Sequence, residues 1–141
     1  MVRHVDVIRA SDAAFNEHDA GRTARACAEH FTYTDHAAGL TYKGAEEFKA
    51  YLATWFDAFP DTTIDEGQYS VAGDVVVHQS VERATNNGPL GALPATGRRV
   101  SLPFCEVWRL DPEGRIVTGD LYYDQLSLMV QLGHVQPPGA G

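Results

Sequence analysis

The sequence predicts an α+β fold: helices packed on one face of a strongly curved antiparallel sheet. Three observations carry this. Helical periodicities fill the chain up to Pro60, long alternating strands follow it, and the helix just before Pro60 bears an aromatic stripe too broad to leave in water. At 141 residues the chain has the size of one domain, expected over 1–133, with the Gly/Pro-rich 134–141 as a disordered tail.

The first helix is read over 5–17, where Val5, Ile8 and Phe15 recur at helical spacing and Asp12 shares their face. His18-Asp19 breaks it. A second helix is read over 21–30, with Ala24, Cys27, Ala28 and Phe31 on one side, pairing with the first as a hairpin. The aromatic and β-branched run Phe31 to Asp35 reads as a strand and His36 to Gly39 as a turn.

From Lys43-Gly44 a third helix places Phe48, Tyr51, Leu52, Trp55, Phe56 and Phe59 on its apolar stripe until Pro60 ends it. Strands are then expected over 62–71, 75–85, 98–110 and 115–123. Asp111 to Gly114 is a hairpin turn, with φ fixed at Pro112 and Gly114 free to adopt positive φ. The segment 86–97, NNGPLGALPATG, reads as a mobile flap. A short helix over 124–132 closes the pattern.

Charge and motifs restrict function. Nineteen acidic against eleven basic residues give a net charge of -8, and no basic cluster is longer than Arg98-Arg99, which argues against nucleic acid and anionic membranes as partners. No run approaches the ~20 apolar residues of a membrane span, and the polar N-terminus is unlike a signal peptide, so a cytoplasmic protein is expected. Cys27 and Cys105 read as buried apolar thiols. No histidine pair has metal-ligand spacing, and neither a phosphate-binding glycine loop nor a nucleophile elbow is present, so no metal and no cofactor are expected.

Four stretches carry a family likeness: FNEHDAGRTARACAEHFTYTDHAAG, YKGAEEFKAYLATWFDAFPD, LGALPATGRRVSLPFCEVWRLDPEGRIV and YYDQLSLMVQLG. In order and spacing the chain resembles the SnoaL-like polyketide cyclases of the nuclear transport factor 2-like superfamily. The resemblance implies a nuclear transport factor 2-like cone (cystatin-like α+β barrel) with three N-terminal helices and a short C-terminal one. It implies cofactor-independent acid/base proton transfer on a small hydrophobic carbonyl compound, such as polyketide aldol cyclisation, and a homodimer formed through the open sheet face.

By the same resemblance Asp124, in YYDQLSL, corresponds to the general acid/base; it reads equally as the N-cap of the last helix. Strand alternation sets Tyr122 and Asp120 on its face. Glu106 is a carboxylate in the apolar strand FCEVWRL. Ketosteroid isomerase, on the same fold, uses an acid at the matching place as a hydrogen-bond donor to an enolate oxygen. That comparison also sets Asp35 against the isomerase's general base, but Phe15 stands where its tyrosine would be. His36 and His78 are candidates to hold a carbonyl oxygen, though a lone strand histidine is more often structural.

Tyr33, Trp55, Phe59, Phe104, Trp108 and Tyr122 are the candidate walls for a hydrophobic, possibly polycyclic aromatic, ligand. Two other readings stand beside the enzyme: a non-catalytic ligand-binding or dimerisation domain, and an isomerase or epoxide hydrolase. The hydrolase would need Arg83 or Arg109 between two acids.

Overall fold

The computed structural model describes residues 3–139. Helix α1 (His4–Asn16) and the one-turn α2 (Ala20–Thr23) are followed by β1 (Cys27–Asp35), β2 (Leu40–Lys43) and α3 (Gly44–Ala58). Strands β3 (Thr63–Ile64), β4 (Gln68–Ala72), β5 (Val75–Thr85), β6 (Arg99–Leu110) and β7 (Ile116–Tyr123) precede α4 (Gln125–Leu132). The expected mixed α+β architecture is present, and among the described residues no helix is long and apolar enough to cross a membrane.

The seven strands form one sheet in the order β2-β1-β7-β6-β5-β3, with β4 also on β5. Contrary to the all-antiparallel expectation, β1 pairs parallel to β7, with Tyr33 opposite Gly119 and Asp35 opposite Leu121. Alternation alone cannot distinguish the two ladders, because side chains point to alternate faces in both.

Three boundaries depart from the sequence reading. The second helix stops at Thr23, capped by Asp19 accepting from Arg22 N, and residues from Cys27 already belong to β1. A strand, β2, occupies Leu40–Lys43 where a turn into the helix was expected. The single strand read over 62–71 is two, split at Gly67, whose φ is +63° and where a Cβ would stand 2.2 Å from Gln79 O.

The 86–97 loop is better anchored than a mobile flap would be. Asn86, 1% exposed, donates through Nδ2 to the carbonyls of Ala58 and Gly88 and accepts from Thr96 N. Residues 140–141 of the expected disordered tail lie outside the described residues. The tail's start is ordered into a helix stop: Gly133 adopts φ +88° and His134 N bonds to Met129 O.

Strand parity decides what faces the helices. On β5, Val76, His78, Ser80, Glu82 and Ala84 are buried on the concave side; on β6 the inward set includes Leu102, Glu106, Trp108 and Leu110. Against this face, Ile8 of α1 and Phe48 and Leu52 of α3 join Phe31, Tyr33, Val76 and Trp108 in one core cluster. A second cluster gathers Ala58, Phe59, Val100, Leu102, Leu128 and Leu132 under α4. Side chains of both clusters wall the cavity described next.

Candidate active site

A cavity of about 60 Å³ lies between α1, α3 and the concave sheet face. Tyr33, Phe48, Tyr51, Trp55, Phe104, Trp108 and Tyr123 are among the aromatic side chains of its wall, and its carboxyl groups are Asp12, Glu82 and Glu106. Among the described residues, no lysine, arginine or histidine lines it.

Glu106 is placed by β6 opposite His78 of β5. Its Oε2 accepts the Tyr33 hydroxyl proton at 2.6 Å. Burial, and then the nearby Asp12 charge, raise its pKa from the ordinary 4.5 to about 8, so at neutral pH it holds a proton. A protonated carboxyl in a largely apolar cavity is a hydrogen-bond donor and an acid.

Asp12 reaches the same point from α1, one helical turn after Ile8 on the apolar face. Its Oδ2 accepts the Tyr69 hydroxyl at 2.6 Å and lies 3.1 Å from His78 Nδ1, an ionic contact not aligned as a hydrogen bond. His78 is fully buried, stacks on Tyr69 at 4.0 Å between ring centres, and its Nε2 lies 2.7 Å from Glu66 O. Because a carbonyl only accepts, Nε2 carries a proton, and Nδ1 can face the Asp12 carboxylate favourably only if it too is protonated. Burial opposes that charge, yet the Asp12 carboxylate outweighs it and the His78 pKa is raised.

Asp12, His78 and Glu106 each offer one ligand-type atom within 4.8 Å of the others, the group among the described residues able to hold a metal ion. The sequence expectation of no metal rested on local spacing, which cannot register three residues brought together from α1, β5 and β6.

At another part of the wall, Tyr51 and Tyr123 both donate their hydroxyl protons to Asp35 Oδ2, at 3.2 and 3.0 Å, while Ala38 N donates to Oδ1. Asp35 is 2% exposed and lies behind the cavity wall, its oxygens already engaged, so it does not take the position of a free base. Phe15 does line the cavity.

Several predicted site residues are elsewhere. Asp124 is exposed, caps α4 by accepting from Ser127 N at 3.0 Å, and does not line the cavity. Asp120 and Tyr122, read as sharing a face with Asp124, stand opposite the cavity-lining Leu121 and Tyr123, at the outer parity of β7. There His36 Nε2 lies 2.8 Å from Asp120 Oδ1, and its ring stacks on the 45% exposed Tyr122. Phe59 is fully buried and packs on Trp55 at 4.8 Å, behind the wall rather than on it. Arg83 pairs with Asp65 and Arg109 is exposed, so neither reaches the cavity acids.

Of the site residues predicted from sequence, Tyr33, Trp55, Phe104, Trp108 and Glu106 line the cavity, and His78 does not. Asp12 and Glu82 are the functional candidates missed. Each left a signal: a carboxylate on an apolar helix stripe, and one at inward parity four residues after His78. The cysteines do not contribute: burial pushes the Cys27 thiol up to about 12, and Cys105 takes the outer parity of β6.

A family model described as SnoaL-like polyketide cyclase matches residues 5–132. No curated protein matches the chain in sequence. Among solved structures, a protein from Jannaschia sp. CCS1 assigned as a SnoaL-like polyketide cyclase superposes with a TM-score of 0.85 at 20% identity, over 96% of this chain and 93% of that one. IdmH from Streptomyces antibioticus, assigned as a polyketide cyclase, gives 0.80 at 23% identity over 94% and 99%. A protein of ketosteroid isomerase-like fold from Catenulispora acidiphila, in complex with trimethylamine, gives 0.79 at 23% over 91% and 92%. With its fold shared by these structures and the family model spanning nearly its whole length, the chain belongs to the SnoaL-like polyketide cyclase family.

Proposed function

We propose that the protein is a cofactor-independent enzyme of cyclase or isomerase type, moving protons on a small hydrophobic carbonyl compound, with Glu106 rather than Asp124 at the centre of the chemistry. The observation that carries this is the meeting of Asp12 with Glu106, whose pKa burial raises, on one cavity wall. Two carboxyl groups held on one wall by different partners, Tyr33 for Glu106 and Tyr69 for Asp12, can divide the roles of acid and base.

In this reading the Asp12 carboxylate removes a proton from the carbon beside the substrate carbonyl. Glu106 gives its own proton to the oxygen as negative charge develops there. For an aldol closure that carbon attacks a second carbonyl of the same molecule, whose oxygen, rather than the first, takes the Glu106 proton as its C=O π bond opens, and the first carbonyl is restored. For an isomerisation the enol takes its proton back at another carbon. Tyr33 fixes Glu106, and Tyr69 with His78 fixes Asp12, so little reorganisation accompanies the transfer. The apolar walls exclude water and strengthen these bonds.

Family membership supports a small-molecule substrate, as does the small ligand held by the Catenulispora protein. The half-buried Val77, Val81, Cys105 and Val107 on the outer sheet face support a homodimer through that face.

The test is deuterium exchange at the carbon beside the carbonyl of a bicyclic ketone, 2-tetralone, followed by NMR in D2O. Exchange catalysed by the wild type and lowered about 100-fold or more in Glu106→Gln and Asp12→Asn is expected. Binding of the ketone without exchange would make the protein a binding module instead.

A further inference from the structure

The two polar regions of the cavity offer a ligand opposite things, and the difference centres on Glu82, which takes no part in the proton transfer above. Glu82 leaves β5 on the same face as His78, four residues further on, so about 13 Å along the strand from the register position that Glu106 shares. It is 8% exposed and lines the cavity. Trp55 Nε1 and the Thr62 hydroxyl both donate to its Oε2. Among the described residues, Oε1 has no protein donor.

The other polar atoms of this region are committed in the same sense. Tyr51 and Tyr123 have given their protons to Asp35 and have only oxygen lone pairs left for a ligand. Trp55 and Thr62 have spent theirs on Glu82. With no cationic side chain in the lining, an anionic ligand finds no partner here and meets a carboxylate. A carbonyl would be set acceptor against acceptor. A hydroxyl is the group that completes this region, and a buried acceptor left unmatched is costly. At Glu106 the demand is reversed, since a protonated carboxyl calls for an acceptor.

We infer that Glu82 Oε1 is a specificity subsite for a ligand hydroxyl, and that the substrate class is a hydroxylated ketone lying with its carbonyl at Glu106 and its hydroxyl at Glu82. This rests on Glu106 being the proton donor. Both carboxyl groups line the same cavity, so a single ligand can meet Glu106 and Glu82 at once. Bulk apolar walls would accept many ketones; the hydroxyl is what Glu82 selects.

The experiment compares 6-hydroxy-2-tetralone, its 6-methoxy analogue, 2-tetralone and the 6-carboxylate by calorimetric titration against wild type and Glu82→Gln. The 6-hydroxy compound should bind wild type about ten-fold or more tighter than the methoxy and unsubstituted ketones, the carboxylate weakest of all. In Glu82→Gln the hydroxyl preference should fall to about three-fold or less, because the amide can turn a donor toward the ligand. If Glu82→Gln fails to fold, the ligand series on wild type decides alone.

Equal affinity for hydroxy and unsubstituted ketones overturns the subsite, as does tight binding of the carboxylate or no binding by any of the four. The same titrated samples, followed for deuterium exchange, separate the two readings. A hydroxyl preference without exchange removes Glu106 as donor and leaves the subsite, whereas exchange without preference does the reverse.

Discussion

Glu106 and His78 face each other across the antiparallel pairing of β6 and β5, so one strand register brings a proton-holding carboxyl beside the imidazole that steadies Asp12. A slip of either strand by one residue would send its member of the pair to the outer face. Position on the sheet, more than any local motif, makes these residues a site.

Stability should fall as pH rises from about 4.5 to about 8. Glu106 has its pKa raised on folding, so the folded chain binds this proton more tightly than the unfolded one, and that contribution is lost on passing from the ordinary carboxylate value to the folded one. The raised pKa values of His78 and buried Glu82 act in the same direction. Urea unfolding should give a higher midpoint at pH 5.5 than at pH 8.5, and Glu106→Gln should flatten that slope by at most about 1.4 kcal/mol per pH unit. A wild type more stable at pH 8.5 would contradict the assignment.

Asp124→Ala should cost about 1 kcal/mol of stability through loss of the α4 cap and leave ketone exchange within about two-fold of wild type. A collapse of exchange at unchanged ketone affinity would return the chemistry to Asp124.

Gly119→Ala should destabilise the cavity wall. A Cβ there would lie 2.4 Å from Trp108 Cζ3 and 2.8 Å from Tyr33 Cδ1, and both rings are buried. Overpacking of this kind costs about 1–3 kcal/mol, read as a lowered melting temperature. Displacement of Tyr33 should also weaken its bond to Glu106, which favours the charged carboxylate, and so raise the pH at which exchange declines.

Asp35→Ala strands the Tyr51 and Tyr123 hydroxyls and Ala38 N without their acceptor. A loss of about 3 kcal/mol in urea unfolding is expected. A loss below about 1 kcal/mol would mean that water replaces the carboxylate.

Most of the fold was legible because its signals are periodic. The stripe from Phe48 to Phe59 and the alternation along Val75 to Thr85 each have one good interpretation, and both elements form where the residues place them. What escaped was non-local. Thr62 to Val71 alternates well enough for one strand, but the backbone turns aside at Gly67 to keep pairing with β5. Nothing within Phe31 to Asp35 reveals that its partner, β7, runs in the same direction.

The site was legible by residue type more than by side. Glu106 stood out as a charge among apolar neighbours, and burial is what makes that charge useful. Asp124 stood out as well, through resemblance, but a residue just past the end of a strand takes its direction from the helix it caps. Asp12 shows the converse: it was noticed on the right face of α1, and only the packing of that face against β5 and β6 gave it a chemical partner.

The parallel union of β1 with β7 also sets the order in which this protein can come into being on the ribosome. Tyr33 meets Glu106 across 73 positions and Asp35 meets Tyr123 across 88, so the earliest strand must wait for the latest one before either contact exists. Closing such long loops costs chain entropy before any contact rewards it. The buried acids are therefore sheltered last, and a ribosome-bound chain ending before Ile116 should hold its N-terminal half open, with Asp12 and Asp35 still in water.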